Sequence, residues 1–252
     1  MPRATGGTVT YDGDYSIHTF TSNDDFTANE DIVAEVLIIA GGAGGGGGQF
    51  SYNGGGGGGG FLVGSMNIST GVNPVVVGAG GDGGIREQGG SGQNSTFNSA
   101  VAIGAGGGGG RDARNGVNGG SGGGMAYAGS VPGYATQGNS AGLIGYGNNG
   151  GIPTGLEGAG GGGAGGAAPG GDDRSGGIGR SSSISGTAVT YAAGGKGKQF
   201  PVVSGVANTG DGGDGKNGSN DGGVGGSGIV IIRYLTVEVD SDFLLSPIWF
   251  MM

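Results

Sequence analysis

Glycine occupies 75 of the 252 positions, concentrated in residues 41–48, 54–60 and most of 104–228. Such tracts have no side chains to bury, and glycine loses more backbone entropy on ordering than any other residue. They are therefore either disordered or ordered by direct contact between main chains. Glycine with seven prolines places the composition where disorder is the usual default. Collagen requires glycine at strictly every third position and abundant proline, and uninterrupted runs such as GGGGGGG exclude it. Charged residues make up only 12% of the chain, whereas chains held open by charge carry many more. Strand-like runs also bracket the glycine field and return the chain repeatedly to one place. The ordered reading follows, as a bundle of extended polyglycine II helices. These have three residues per turn and no internal hydrogen bonds, so neighbouring backbones satisfy one another. Ala, Ser, Asn and Asp, which interrupt the tracts, are expected on the bundle surface.

The strand-like runs are rich in β-branched and aromatic residues. Thr8–Tyr11 and Tyr15–Thr21 flank Asp12-Gly13-Asp14, a strong hairpin signal. Phe26–Ala28 predicts a short strand, and Val33–Ala40 ends in the continuous apolar run of a strand buried on both faces. Phe61–Ile68, Val75–Val77, Val101–Ile103, Thr187–Tyr191 and Ile229–Leu235 complete the set. IIAGGAGG, VVGAGGDGG, AIGAGGGGG and TYAAGGKGK form a weak repeat, each handing a short strand to glycine through an Ala/Gly step. No apolar period of 3.6 persists, and glycine disfavours α-helix by about 1 kcal/mol per residue relative to alanine. The expected fold is mainly β with almost no α-helix. One glycine-rich domain is expected over residues 1–234. Its β elements fall in 7–103 and 184–234, its bundle mainly in 41–60 and 104–228. Residues 235–252 form an apolar C-terminal tail.

The formal charge of −9 argues against a nucleic acid or an anionic membrane as partner. Cysteine is absent, so disulfides and thiolate metal sites are excluded. The N-terminus lacks the apolar core of a secretory signal, and no apolar run approaches the ~20 residues needed to span a bilayer.

The opening ATGGTVTYDGDYSIHTFTSNDDFTANEDIVAEVLIIAGGAGGGG and the closing GGSGIVIIRY resemble the glycine-rich domain of bacteriophage tail-fibre and other virion proteins, over about residues 4–234. The design is also similar to the polyglycine-II sandwich adhesins of T-even-like phages, and to the glycine-rich extracellular region of anaplastic lymphoma kinase-type receptors. The resemblance implies a jelly-roll-like β-sandwich with the glycine bundle inserted, and a surface-recognition role for loops at the bundle's end. The final TVEVDSDFLLSPIWFMM departs from the pattern.

No residue constellation points to catalysis, a cofactor or a metal. VLIIAGGAGGGGG superficially resembles a phosphate-binding loop, yet no helix-forming sequence or Gly-Lys-Ser/Thr follows it. His18 reads as an exposed strand histidine, with no serine in a nucleophile-elbow context. Asp24-Asp25 and Asp172-Asp173 read as turn residues. Asp211 and Asp214, leading through Asn217 to Asp221, fit no calcium-loop spacing and read as solvated turns between glycine helices. Recognition or subunit contact is expected where aromatic and charged residues break the glycine. These are Phe50 and Tyr52, Arg111 and Arg114, the loop carrying Tyr127, Tyr134 and Tyr146, and Phe200. Tyrosine combines an apolar face with one hydroxyl and suits adaptable binding surfaces. In the tail, Phe243, Leu244, Leu245, Ile248, Trp249 and Phe250 form an apolar stretch of the kind that marks interaction surfaces. Docking onto another copy or another virion protein is expected there, without membrane insertion.

The leading expectation is a non-enzymatic phage structural protein, a tail-fibre tip or surface adhesin made in the host cytoplasm and carried on the virion. Its partners would be other virion proteins or copies of itself, and a host cell-surface protein or glycan. The competing expectation is a self-assembling fibre or capsid-decoration subunit without receptor binding.

Overall fold

A computed structural model of the protein describes residues 2–48, 52–216 and 221–237. The chain opens with β1 (Ala4–Thr5), β2 (Thr8–Asp12), β3 (Tyr15–Phe20), β4 (Asp24–Ala28) and β5 (Ile32–Ile39). After a glycine hairpin come β6 (Phe61–Ile68), β7 (Gly71–Val76), β8 (Ser95–Phe97) and β9 (Ala100–Ala102). Within the glycine field lie β10 (Ile144–Tyr146), β11 (Arg180–Ser182) and β12 (Val189–Tyr191), and β13 (Ile229–Leu235) closes the sequence of strands. No α-helix occurs among the described residues.

The longer strands follow the β-branched and aromatic runs. Gly13, with φ of 56°, turns β2 into β3 so that Asp12 pairs with Tyr15. One antiparallel sheet has the order β10-β6-β5-β13-β3-β2, and a second has the order β1-β4-β7-β8-β9. Val36, Ile38, Val230 and Ile232 of the first sheet pack against Phe26, Val75 and Phe97 of the second. Phe26 sits among His18, Phe20, Phe97 and Tyr234, whose ring centroids lie 5.1, 6.5, 6.0 and 6.2 Å away. These edge-on contacts define the centre of the β-sandwich.

The continuous apolar runs of β5 and β13 have a specific cause. Leu37, Ile39, Ile229 and Ile231 face away from the sandwich, into a second core with Phe61, Ala164, Ile184, Tyr191 and Ala192. The β11–β12 hairpin and the adjoining glycine segments thus cover part of the outer face of the larger sheet. The second half of β5, Val36–Ile39, is buried on both sides, while Val33 and Glu35 stay exposed.

The glycine bundle grows directly out of this sandwich. β5 and β6 pair with Ile39 opposite Phe61. Beyond them the Ala40, Ala43 and Gly46 amides donate to the Gly60, Gly57 and Gly54 carbonyls, so the strand register continues without a slip. Only the period changes, from two residues to three. The same holds beside β13: Ile229 pairs with Ile39, and Gly42 and Gly45 donate to Gly226 and Gly223 in the continued register.

Residues 40–48 show what the bundle is. They donate in turn to 54–60, to 87–93 and to 223–226, which run antiparallel to them. They accept from 81–84, 105–111 and 213–216, which run parallel. Each segment is reached at every third residue, as the three-fold polyglycine II helix requires. The six neighbours form a hexagonal packing held by main-chain hydrogen bonds of about 2.9 Å. Residues 54–60 are likewise enclosed, by 40–48, 103–109, 121–124, 159–162, 195–198 and 210–213. The bundle also takes in residues 78–93, where IREQ interrupts the glycines.

Glycine is required at most positions of such an array because its neighbours occupy the space of a side chain. Ala43, Ala105, Ser121 and Ala159 are fully buried exceptions, not the surface residues expected of the interruptions. A Cβ on Gly45 would lie 2.1 Å from the Asp214 carbonyl oxygen, and one on Gly56 would lie 2.2 Å from that of Ala43. Gly138, on the outside, has nothing within 4 Å of such an atom. Gly45→Ala and Gly56→Ala should each lose about 1–3 kcal/mol or more, as overpacking against a rigid wall does. Gly138→Ala should be neutral or gain up to about 1 kcal/mol through the unfolded chain's lost freedom. Denaturant titration of the three variants checks this, and equal losses at all three sites would contradict the packing argument.

Candidate functional site

The ends of the glycine helices furthest from the sandwich gather loops that are scattered along the sequence. The Arg111 amide donates to the Gly47 carbonyl and that of Lys216 to Gly46, while Gly47 donates to Glu87. The Lys198 amide donates to the Asn53 carbonyl and the Tyr127 amide to that of Tyr52. The Gly197 amide donates to the Arg174 carbonyl, bringing a further turn to the same end. Gly48, at φ of 135°, begins the turn out of residues 40–48; a Cβ there would lie 2.5 Å from the Arg111 Cβ.

Two side-chain clusters occupy this end. In one, the rings of Tyr52 and Tyr127 meet edge to face at 6.2 Å, with the Lys198 ammonium 3.9 Å from the centre of the Tyr52 ring. Lys198 also pairs with Glu157 at 2.9 Å, and Arg174 approaches the same carboxylate at 3.7 Å. In the other, Asp112 lies between Arg86 at 3.6 Å and Arg111 at 3.7 Å. The Arg114 guanidinium donates to the Arg111 and Tyr127 carbonyls, joining the two clusters. Phe200 is 76% exposed, with the Lys216 ammonium 5.2 Å from its ring centre.

The structure thus brings Tyr52, Arg111, Arg114, Tyr127 and Phe200 to one end of the bundle. It separates Tyr134 and Tyr146 from them. Tyr134 lies on the bundle flank, half exposed, its amide donating to Asn118 Oδ1. Tyr146 belongs to β10, packs edge-on against Phe61 at 5.9 Å, and carries the Arg180 guanidinium 3.6 Å from its ring centre. Pairing with β6 holds it at the sheet. Phe50 and the tail residues Phe243, Leu244, Leu245, Ile248, Trp249 and Phe250 lie outside the described residues. Lys198, Glu157, Arg174 and Arg86 join the site although the sequence did not mark out Arg86, Glu157 or Arg174. Their signal was a charge at the end of a glycine tract, where the chain must turn.

Two expectations are corrected. His18 is 1% exposed rather than solvent-facing. The Gly6 carbonyl accepts from its Nδ1 at 2.8 Å, so Nε2 faces the Tyr234 hydroxyl, 2.9 Å away, as an acceptor. The short β1, paired with β4 in the opposing sheet, and the adjoining Gly6 lie across it, beside a cleft of about 360 Å³ that Arg3, Val9, Tyr11, Ser16 and Tyr234 help to line. Asp211 and Asp214 do not sit in solvated turns. Both lie on the three-fold segment 210–216 and face inwards. Asp211 Oδ1 accepts from the Ala193 amide; Asp214 Oδ1 and Oδ2 accept from Lys196 and Val203. Asparagines act alike, Asn115 accepting from Ser130 and Val131, Asn118 from Tyr134, and Asn149 from Ala135. A side chain spaced at three residues thus replaces a missing neighbour along the bundle. Among the described residues no three His, Asp or Glu side chains gather as metal ligands, and no helix is long and apolar enough to cross a membrane.

Fold and site together define a β-sandwich carrying a polyglycine II bundle, capped by loops of aromatic and charged residues. The chain belongs to the glycine-rich domain family, whose model matches residues 19–235. Comparison with curated proteins returns no match.

Burial sets the pH response. Desolvation lowers the His18 pKa below 6.5, opposed by the bond to Gly6, so the unfolded chain takes up a proton first on acidification. Its contribution to stability is intact above pH 6.5 and is lost as the pH falls through the window below that value. His18→Gln should therefore flatten the decline of melting temperature between about pH 6.5 and 5. Desolvation raises the Asp211 and Asp214 carboxyls despite the backbone bonds they accept. That shift costs stability at neutral pH and is relieved as the pH falls through the folded value. Asp211→Asn keeps an acceptor without the buried charge, so it should melt higher than the parent at pH 7, with the difference shrinking on acidification. Melting curves across pH check both, and an unchanged pH slope in either variant would refute its assignment.

Proposed function

We propose that this chain is a non-enzymatic structural protein of a bacteriophage particle, a tail-fibre tip or surface adhesin that contacts the host envelope. It is made in the host cytoplasm and carried on the virion, attached to other virion proteins or to copies of itself. One observation carries the reading: the interior of the bundle contains almost no side chains, while its far end displays aromatic and charged groups from many separate loops. Backbone hydrogen bonds in three directions give a stiff support, and loops on a rigid support are where recognition residues concentrate. Their sequences can change without disturbing the glycine lattice beneath. The described His18, Asp211 and Asp214 are all engaged in holding the main chain, which fits a structural rather than a chemical task.

The reading is tested by attachment. Fluorescently labelled protein, applied to a panel of bacterial strains, should bind cells of at least one of them by flow cytometry. Tyr127→Ser combined with Phe200→Ser should reduce that binding about tenfold, as loss of a binding hot spot does. Tyr11→Ser, at the sandwich edge, should leave it unchanged. Polymerisation or particle coating with no cell binding would instead identify a building subunit, and binding that survives the double substitution would move recognition away from this end.

A further inference from the structure

Cationic residues are few in this chain, and the fold gathers most of them. Of the ten Lys and Arg residues, Arg3, Arg180 and Arg233 lie in or beside the sheets, and the other seven stand in the loops and last turns of the glycine helices at the far end of the bundle. Seven carboxylates share that end: Glu87, Asp112, Glu157, Asp172, Asp173 and Asp221 in the loops, and Asp214, which is buried and accepts from the Lys196 amide. The rest of the sequence sets three cations against twelve carboxylates. A protein with a net charge of −9 therefore presents one end where cations balance carboxylates, on a body that is strongly acidic.

The local geometry keeps these cations available. Asp112 is divided between Arg86 and Arg111, whose side chains remain 59% and 38% exposed. Glu157 is divided between Lys198 and Arg174. The hydrogen-bond acceptors of Arg114 are neutral carbonyls, which orient its guanidinium without cancelling its charge. Exposed aromatic faces lie beside these cations, on Tyr127 and Phe200. Cations supply contacts to phosphate or carboxylate, and an aromatic face with a neighbouring polar handle suits the apolar face of a sugar ring.

Resting on the adhesin reading above, we propose that the far end of the bundle binds an anionic polysaccharide of the bacterial surface, through phosphate or carboxylate groups on its sugars. The acidic body would be repelled by such a surface while the end that carries the exposed arginines is not, so charge orients the approach. Nucleic acid offers phosphate as well, but as a long duplex it would bring far more negative charge against the acidic body.

The test is surface plasmon resonance of the full chain over immobilised lipopolysaccharide, wall teichoic acid and duplex DNA. Binding to one of the polysaccharides is expected, weakening about tenfold or more between roughly 50 and 200 mM salt. The triple variant Arg86→Gln, Arg111→Gln, Arg114→Gln should bind about tenfold more weakly, with the salt slope reduced by about 0.7 per cation removed, as for a flexible polyanion. Arg180→Gln should match the parent. A soluble polyanion, dextran sulfate, should compete with unmodified protein, which keeps the test independent of how the triple variant folds. Absence of binding to both polysaccharides, salt-insensitive binding, or tighter binding to DNA would each overturn the proposal. Cell attachment that persists in the triple variant and in high salt, but is lost in the Tyr127 and Phe200 variant, would sink the anionic ligand while leaving the adhesin reading intact. If no strain is bound at all, the adhesin reading fails regardless of the polymer result.

Discussion

Everything in this molecule depends on the hydrogen bond between one bare main chain and the next. A typical protein hydrogen bond contributes only about 0.5–1.5 kcal/mol net, but a buried group left without a partner costs about 1–3 kcal/mol. In the bundle interior every glycine amide and carbonyl is buried, so the arrangement is close to all or nothing. Residues 40–48 bond to six neighbours, and displacement of any one of them would strand groups on several others. This interdependence offsets the large entropy that glycine loses on ordering. It also explains why side chains are excluded so strictly, since the bonding distance leaves no room for even a methyl group at most positions.

The β-sandwich is what makes the lattice attainable. Isolated glycine segments would have to find register and direction unaided, whereas here each strand delivers its successor already aligned. The β5–β6 register passes into the pair 40–48 and 54–60, and the β5–β13 register passes into 223–228. Apolar burial around Phe26, and around Leu37 and Ile39 on the other face, fixes the starting points. The hydrophobic effect then acts on the glycine field indirectly, by holding its ends in place.

Much of this was legible in the sequence, for reasons that can be located. β3, β5, β6 and β13 carry β-branched runs long enough to show a period, and the IIAGG and TYAAGG steps mark where strands give way to glycine. β1, β8, β10 and β11 have two or three residues each, too few for any period, and pair only because neighbours hold them. His18 was misread because the strand pattern shows alternation but not which segment folds over a face; the two-residue β1 does so here. Asp211 and Asp214 were misread because turn chemistry was applied to a segment that is not a turn. Their spacing of three, shared by Asn115 and Asn118, is the mark of a three-fold helix with one face missing a neighbour. At the far end, Tyr52, Arg111 and Arg114 stood out as interruptions of glycine. Nothing local placed Lys198 and Glu157 beside them, since Asn53 and Lys198 meet only through the lattice.

That lattice also accounts for the division of labour along the molecule. In an ordinary domain, a loop's conformation depends on the side chains packed beneath it, so changing the loop disturbs the core. Here the loops stand on main chain, whose hydrogen bonds are indifferent to which residues follow. Arg111 and Lys216 are anchored through their amides to Gly47 and Gly46, leaving their side chains outside the lattice contacts. The charges and aromatic rings at this end are therefore held in position by groups that do not constrain their identity. A surface built in this way can change its chemistry one side chain at a time while the support stays fixed.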